Sequence, residues 1–186
     1  RREVGGTCLN RGCIPTKTLR SSADAVMLAG RLPEYGVETG PAKICLDTIR
    51  KRKDSVIGIL RTGLEKSCSR LKVRFVSGRA EVLSAQEVLV HTKDGNETVT
   101  GDAVIIAAGS RVLELPGLTF DHQYVLNSDD ALSLDRIPAR LCIVGGGVIG
   151  CELACIYRAF GSAVTIVEGQ DRVLPMPSVD KDVSTL

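Results

Sequence analysis

The sequence predicts an α/β chain: two long helices, then a β-meander, then a strand, glycine turn, helix and strand in direct succession. Three observations carry this. Apolar residues recur at helical spacing over 14–32 and 47–69, the period drops to two over 73–98, and RLCIVGGGVIGCELACIYRAFGSAVTIVEG (140–169) switches from buried strand to amphipathic helix across a glycine turn.

Each element has a local reason. IPTKTLRSSADAVMLAGRL (14–32) reads as a helix with Pro15 in its first turn, where a missing N–H costs nothing, and Leu19, Ala23, Val26 and Met27 on one face. YGVETGPAK is a turn-rich connection. From Asp47 to Ser69 a second helix carries Ile49, Val56, Ile57, Leu60 and Leu64 on one stripe, and RKRKD (50–54) with the later Lys and Arg residues is read as its solvated face. VRFVSG, AEVLS and EVLVHT alternate as half-buried strands do, and the Asp-Gly of KDGNE marks a hairpin. DAVIIAAGS (102–110) is a continuous apolar run, as expected of a strand buried on both faces. NSDDALSL offers Ser128 as a helix N-cap, with Asp129 and Asp130 in the first turn, where the helix dipole favours acids. Cys142–Val144, Val148–Phe160 and Ala163–Glu168 complete the final strand, helix and strand.

Composition limits what such a chain does. With 186 residues, 44% hydrophobic and 25% charged, it can bury one or two ordinary cores. A net charge of +2 from 24 basic and 22 acidic residues advertises neither nucleic acid nor an anionic membrane as partner. No apolar run reaches the roughly 20 residues of a spanning helix, and RREVGG lacks the apolar core of a signal peptide, so the expected location is the cytoplasm. Seven cysteines, an odd number scattered through apolar segments, do not resemble a secreted disulfide framework and are expected to be mostly buried free thiols.

The glycine turn has the context a dinucleotide needs. Gly145, Gly147 and Gly150 form GxGxxG between a buried strand and a helix: the first permits the tight turn, the second lets backbone approach a pyrophosphate, the third lets helix and strand pack closely. The N–H groups that open the helix, around Val148 and Ile149, face the anion. Glu168 ends the next strand about 20 residues on, where a carboxylate accepts hydrogen bonds from ribose hydroxyls and repels a 2′-phosphate, so NAD is expected over NADP.

GGTCLNRGCIPTK (5–17) places Cys8 and Cys13 five apart at the mouth of a helix. A structural disulfide, half a metal site and a redox dithiol all compete for this pair. Zinc needs two further ligands, but Cys151 and Cys155 read as helix packing and the only histidines, His91 and His122, lie in a predicted strand and a loop. A disulfide here would close too short a loop to stabilise much. The dithiol fits better, because a helix start stabilises a thiolate and should lower the Cys13 pKa. Gly5, Gly6 and Gly12 clear side chains from around the pair.

GGTCLNRGCIPTK, the hairpin region, IIAAGS, SDDALSL and IVGGGVIGCELA, in this order, resemble the pyridine nucleotide-disulfide oxidoreductases, a flavoprotein family; CLNRGCIPTK is most similar to its dihydrolipoamide dehydrogenase branch. The resemblance implies parts of two Rossmann-like, FAD/NAD(P)-binding, three-layer ββα lobes with a β-meander or hairpin insertion. Residues 1–125 would be a partial FAD-binding lobe lacking its first GxGxxG unit, and 126–186 the start of an NAD-binding lobe, with the dimerisation domain absent. It further implies that Cys8 exchanges with the substrate disulfide while Cys13 lies closest to the flavin, and that Lys17 sits beside the flavin with Glu152 as its acidic partner. Gly6, Thr7 and Lys17 would line FAD, with the backbone from Gly78 to Ala80 on the adenine side and Ala108, Gly109 and Ser110 after the buried strand. The implied partners are a small-molecule or lipoyl-domain dithiol, components of 2-oxoacid dehydrogenase or glycine cleavage complexes, and a second subunit in a homodimer. The implied reaction takes dihydrolipoamide and NAD to lipoamide and NADH; a mercuric or glutathione-type reductase, or a non-catalytic dinucleotide module, are the alternatives, and the 186-residue stretch alone is expected to be inactive.

Overall fold

The computed structural model describes residues 3–184. A short helix absent from the sequence reading, α1 (Gly6–Arg11), precedes α2 (Cys13–Arg31), and the two are broken apart at Gly12, whose ψ of −111° is not helical. A side chain at Gly12 would meet the Cys8 Cα and the Thr7 carbonyl oxygen at 3.1 Å, so glycine is what lets the second helix start against the first. α2 buries Pro15, Thr18, Leu19 and Ala23, while Met27, expected on that face, is exposed. It ends in a 3-10 turn (Leu32–Tyr35) closed by Gly36 in the left-handed region.

α3 (Leu46–Arg70) matches the expected helix, but not its expected faces. Only Ile57 of the apolar stripe is buried; Leu60 and Leu64 are exposed. The basic run is not simply solvated either. Lys53 is buried and donates to the Leu132 carbonyl at 2.9 Å, with Asp54 at 3.2 Å, and Arg52 reaches the Thr18 carbonyl at 3.0 Å. Long aliphatic stems cover apolar surface while their charged heads cap carbonyls, a use of Lys and Arg that charge counting reads as solvent.

The strands β1 (Arg79–Val82), β2 (Glu87–Thr92) and β3 (Gly95–Thr100) form an antiparallel meander in sequence order. The Asp-Gly signal marks the right place: Thr92 pairs with Gly95 across the β2–β3 turn. Residues 73–78, expected as a strand, are not one, and DAVIIAAGS is not a strand either: Ile105 is 90% and Ile106 75% exposed. A strand exists only with a neighbour to complete its ladder, and no described strand lies beside 102–110. The accessible surface of 13584 Å² reflects this, against the roughly 8,600 Å² that scaling with mass gives a compact monomer of this size.

α4 (Ser128–Ala131) starts one residue earlier than expected: Asn127, not Ser128, is the N-cap, accepting from the Asp130 N–H, while the Asp130 carboxylate accepts from the Asn127 N–H. The Asn127 side chain reaches forward to the third N–H of the helix while the Asp130 carboxylate reaches back and closes the box. β4 (Arg140–Val144), α5 (Val148–Ala159) and β5 (Ala163–Val167) follow as predicted, and β4 and β5 are parallel, in register from Arg140 opposite Ala163 to Val144 opposite Val167.

The core lies where α2, α4 and α5 meet: Leu19 and Ala23 pack with Leu132, Leu153, Ile156, Tyr157 and Phe160. The helix that Cys13 opens and the helix after the glycine turn therefore share one apolar cluster. Inside it, the Tyr157 hydroxyl donates to the Ala131 carbonyl, and burial pushes the Tyr157 pKa up to about 12. A phenol whose folded pKa lies above its unfolded value of about 10 contributes stability that is complete below pH 10 and lost as pH rises towards 12. The urea midpoint should therefore fall over that window by the equivalent of about 2 kcal/mol, and less in Tyr157→Phe; equal falls in both would show that Tyr157 is not the titrating group. Among the described residues no helix is long and apolar enough to cross a membrane.

Candidate functional site

Gly5 (φ +98°) and Gly6 (φ +63°) turn the chain into α1 through the left-handed region, which side-chain-bearing residues rarely adopt. Cys8 then lies on α1 and Cys13 opens α2, both exposed as free thiols. They adjoin, and the proximity has an electrostatic result opposite to the sequence expectation. The Cys13 pKa is raised, not lowered: the Cys8 thiol hydrogen-bonds it, partial burial disfavours charge, and a Cys8 thiolate would repel a second one. Its own backbone N–H and the Lys17 ammonium, one turn along α2, pull the other way and do not prevail. The helix start is real, but a neighbouring sulfur outweighs it. Cys8→Ala removes the largest cause, so the pH midpoint for alkylation of Cys13 by iodoacetamide should move down; an unmoved midpoint would mean that Cys8 does not set it.

Lys17 makes the contact that joins the two motifs. Its ammonium is ion-paired with the Glu152 carboxylate on α5, across 135 residues of sequence. Next along α2, Arg20 pairs with Asp24 at 2.6 Å and lies against Cys155. Cys155 is thus exposed on the α2-facing side of α5, and Cys151, its S–H donating to the Gly146 carbonyl at 3.3 Å, is half-buried at the glycine turn. None of the seven cysteines is in the buried class, contrary to the expectation from their apolar surroundings.

At the glycine turn each predicted position has a distinct physical reason. Gly145 (φ +108°) donates to the Val167 carbonyl at 2.8 Å, tying the turn to β5. A Cβ on Gly150 would stand 2.0 Å from the Gly145 carbonyl oxygen, so the helix packs on the turn only without one. Gly147 is the N-cap of α5, supplies no side-chain cap, and has open space where a Cβ would stand. The leading N–H groups of α5, with Val148 and Ile149 exposed above them, can thus be approached by an anion. Glu168 accepts from the Gly146 N–H at 2.6 Å and the Gln170 N–H at 2.9 Å, and these bonds hold its carboxyl below the usual range. The sequence reading missed this anchoring. It leaves lone pairs for ribose hydroxyls, since a carboxylate has about four acceptor sites. These residues fit an NAD adenosine and pyrophosphate.

The residues expected on the flavin side divide. Gly6 has open space where a side chain would be, and Gly109 (φ +79°) likewise, so Gly6, Thr7 and the 108–110 segment fit close approach by a flat ring or a phosphate. Gly78 has another reason: a Cβ there would lie 2.4 Å from the His91 carbonyl oxygen, so the meander itself requires glycine. Ala80 pairs with Val90 inside that sheet. Strands β1–β3 pair with one another and form a sheet separate from β4 and β5.

Fold and site together define an α/β protein in which two adjoining thiols, on α1 and at the start of α2, lie beside a strand, glycine turn and helix that fit a dinucleotide. Comparison with known proteins sharpens this: residues 2–186 match the family described as pyridine nucleotide-disulphide oxidoreductase. The chain is 41% identical over 186 residues to dihydrolipoyl dehydrogenase of Bacillus subtilis (strain 168), covering 99% of this chain and 40% of that protein. It is 42% identical over 183 residues to dihydrolipoyl dehydrogenase of Buchnera aphidicola subsp. Schizaphis graminum, covering 98% of this chain and 38% of the relative. Among solved structures, LpdA from Mycobacterium tuberculosis superposes with a TM-score of 0.85 at 27% identity, over 99% of this chain and 40% of that one. The Cu(II) complex of the HOCl-induced flavoprotein disulfide reductase RclA from Escherichia coli gives 0.75 at 31%, over 97% and 37%. The chain belongs to the pyridine nucleotide-disulphide oxidoreductase family, and it spans about 40% of the length of the relatives it matches.

Proposed function

We propose that this chain works within a flavin-dependent disulfide oxidoreductase of the dihydrolipoamide dehydrogenase type, with residues 1–125 serving the FAD lobe and 126–186 the NAD lobe. The observation that carries the reading is the Lys17–Glu152 ion pair, which fastens the helix bearing Cys13 to the helix that opens on the dinucleotide turn. Two redox sites held in one rigid packing are what electron transfer between them requires. The curated relatives named above support the choice of dithiol.

In this reading the oxidised pair is a Cys8–Cys13 disulfide. A substrate thiolate attacks Cys8 Sγ, forming a mixed disulfide and releasing Cys13 as thiolate; the second substrate thiol then displaces Cys8, so that substrate leaves as a disulfide and both cysteines are reduced. Lys17, within electrostatic reach of Cys13, favours that thiolate as it forms. Bound FAD and NAD supply the two-electron relay that returns the pair to the disulfide. Gly6 and Thr7 would lie against the flavin, Gly147 and the start of α5 against the NAD pyrophosphate, and Glu168 against its ribose. Lipoyl domains of 2-oxoacid dehydrogenase or glycine cleavage complexes are the partners that would present the dithiol, to a homodimeric enzyme in the cytoplasm.

The test is NAD reduction by the intact flavin-loaded protein with dihydrolipoamide as donor. NADH formation with dihydrolipoamide, absent with glutathione, supports the assignment. Turnover only in the direction of glutathione or metal-ion reduction, with NADPH as donor, would reassign the protein to another branch.

A further inference from the structure

Asn10 sits between the two cysteines, is buried, and uses every polar group of its amide. Its Nδ2 donates to the Val4 carbonyl at 3.0 Å and the Gly6 carbonyl at 2.8 Å, one on each side of left-handed Gly5. Its Oδ1 accepts from Arg61 of α3 twice, from Nε at 2.9 Å and Nη2 at 2.6 Å. A guanidinium donates only, so this contact settles which way the amide faces: the oxygen must point to Arg61 and the nitrogen to the two carbonyls. Glu3 completes the arrangement, bonded to Arg11 at 2.6 Å and lying 3.9 Å from Arg61.

We propose that Arg61, acting through Asn10, is a positioning residue that holds the Gly5–Gly6 turn and α1 so that Cys8 faces Cys13, and thereby sets how readily this pair closes into a disulfide. The inference rests on the redox role given to the pair above. The physical reason is effective concentration: a dithiol whose sulfurs are held together closes more favourably than one on a loose loop. Closure forms one S–S bond from two S–H groups, and the two electrons and two protons pass to an oxidised partner dithiol. Arg61 lies on α3, touches neither sulfur by any of these bonds, and acts only on the geometry of the turn.

The experiment equilibrates the intact protein in mixtures of reduced and oxidised dithiothreitol and reads the Cys8–Cys13 redox state by alkylation and mass spectrometry. Arg61→Leu should lower the dithiol-to-disulfide equilibrium constant about tenfold, a rise of about 30 mV in potential for this two-electron couple. Asn10→Asp keeps an oxygen towards Arg61 but loses both carbonyl bonds, so it should shift the equilibrium in the same direction, and the double variant should add little to either. Arg52→Leu removes another α3 arginine that bonds α2 but not Asn10, and should leave the equilibrium unchanged. An unshifted Arg61→Leu, or an equal shift in Arg52→Leu, overturns the proposal. Should Arg61→Leu fail to fold, Asn10→Asp against Arg52→Leu decides it in the same way. A wild-type pair that never oxidises overturns both this inference and the proposed function; a pair that oxidises alike in wild type and Arg61→Leu overturns the inference alone.

Discussion

Cys13→Ser in the intact protein is expected to trap a disulfide probe on Cys8. In the wild type, a mixed disulfide on Cys8 is attacked by the adjoining Cys13, which releases the probe thiol and closes the Cys8–Cys13 bond. Serine is no nucleophile for this exchange, so release would depend on external thiol. Losing a neighbour already in contact costs an effective concentration large enough that release should slow by about a thousandfold or more. Whole-protein mass spectrometry over time gives the lifetime of the adduct. A probe released equally fast from wild type and Cys13→Ser would mean that the two sulfurs do not act as a pair. The proximity of the two thiols, close enough to hydrogen-bond, is the structural ground for expecting the large effect.

The second large effect is expected at the glycine turn, where two glycines of one motif should fail for different reasons. Gly150→Ala puts a methyl group 2.0 Å from the Gly145 carbonyl oxygen and 3.2 Å from Ile143 Cγ2. The carbonyl oxygen is backbone and cannot swing aside, so the turn and the β4–α5 junction must deform, at a cost of about 3 kcal/mol. Gly147→Ala meets nothing and should stay within about 1 kcal/mol of wild-type stability, the difference between glycine and alanine at an N-cap. Its methyl group would instead occupy the space a pyrophosphate needs, so NAD affinity should fall at least about tenfold while folding is kept. Thermal melting beside calorimetric titration with NAD separates the two. Equal loss of stability in both variants would show that Gly147 is only a structural glycine here.

What the sequence could and could not disclose follows from the range of the interactions involved. α2, α3, α5 and the hairpin were legible because apolar spacing, Pro15 in a first turn and Asp-Gly are local signals, read within one or two turns of chain. The glycine roles at 145 and 150 were legible too, since backbone packing at a tight turn leaves little choice of residue. DAVIIAAGS misled because its composition reports a sheet environment, and an apolar run cannot supply its own ladder partner. Gly78 carries a requirement that one dimension hides: the His91 carbonyl of the facing strand leaves no room for a Cβ there. Lys53, Arg52 and Arg61 were hidden because a charge count treats each basic residue as bound for water, whereas the fold turns these three towards carbonyl and amide oxygens.

By itself the sequence determined the chemistry available: two thiols at a helix mouth, a glycine turn between strand and helix, and an acid at the end of the following strand. Local backbone sterics and residue type suffice for that. Only tertiary packing decided how these parts meet, because the Lys17–Glu152 bridge, the shared core of α2, α4 and α5 and the contact that raises the Cys13 pKa join residues whose side chains approach only when the helices pack. Long-range contacts leave no periodicity in a sequence, and electrostatic shifts depend on distances that no spacing along the chain encodes.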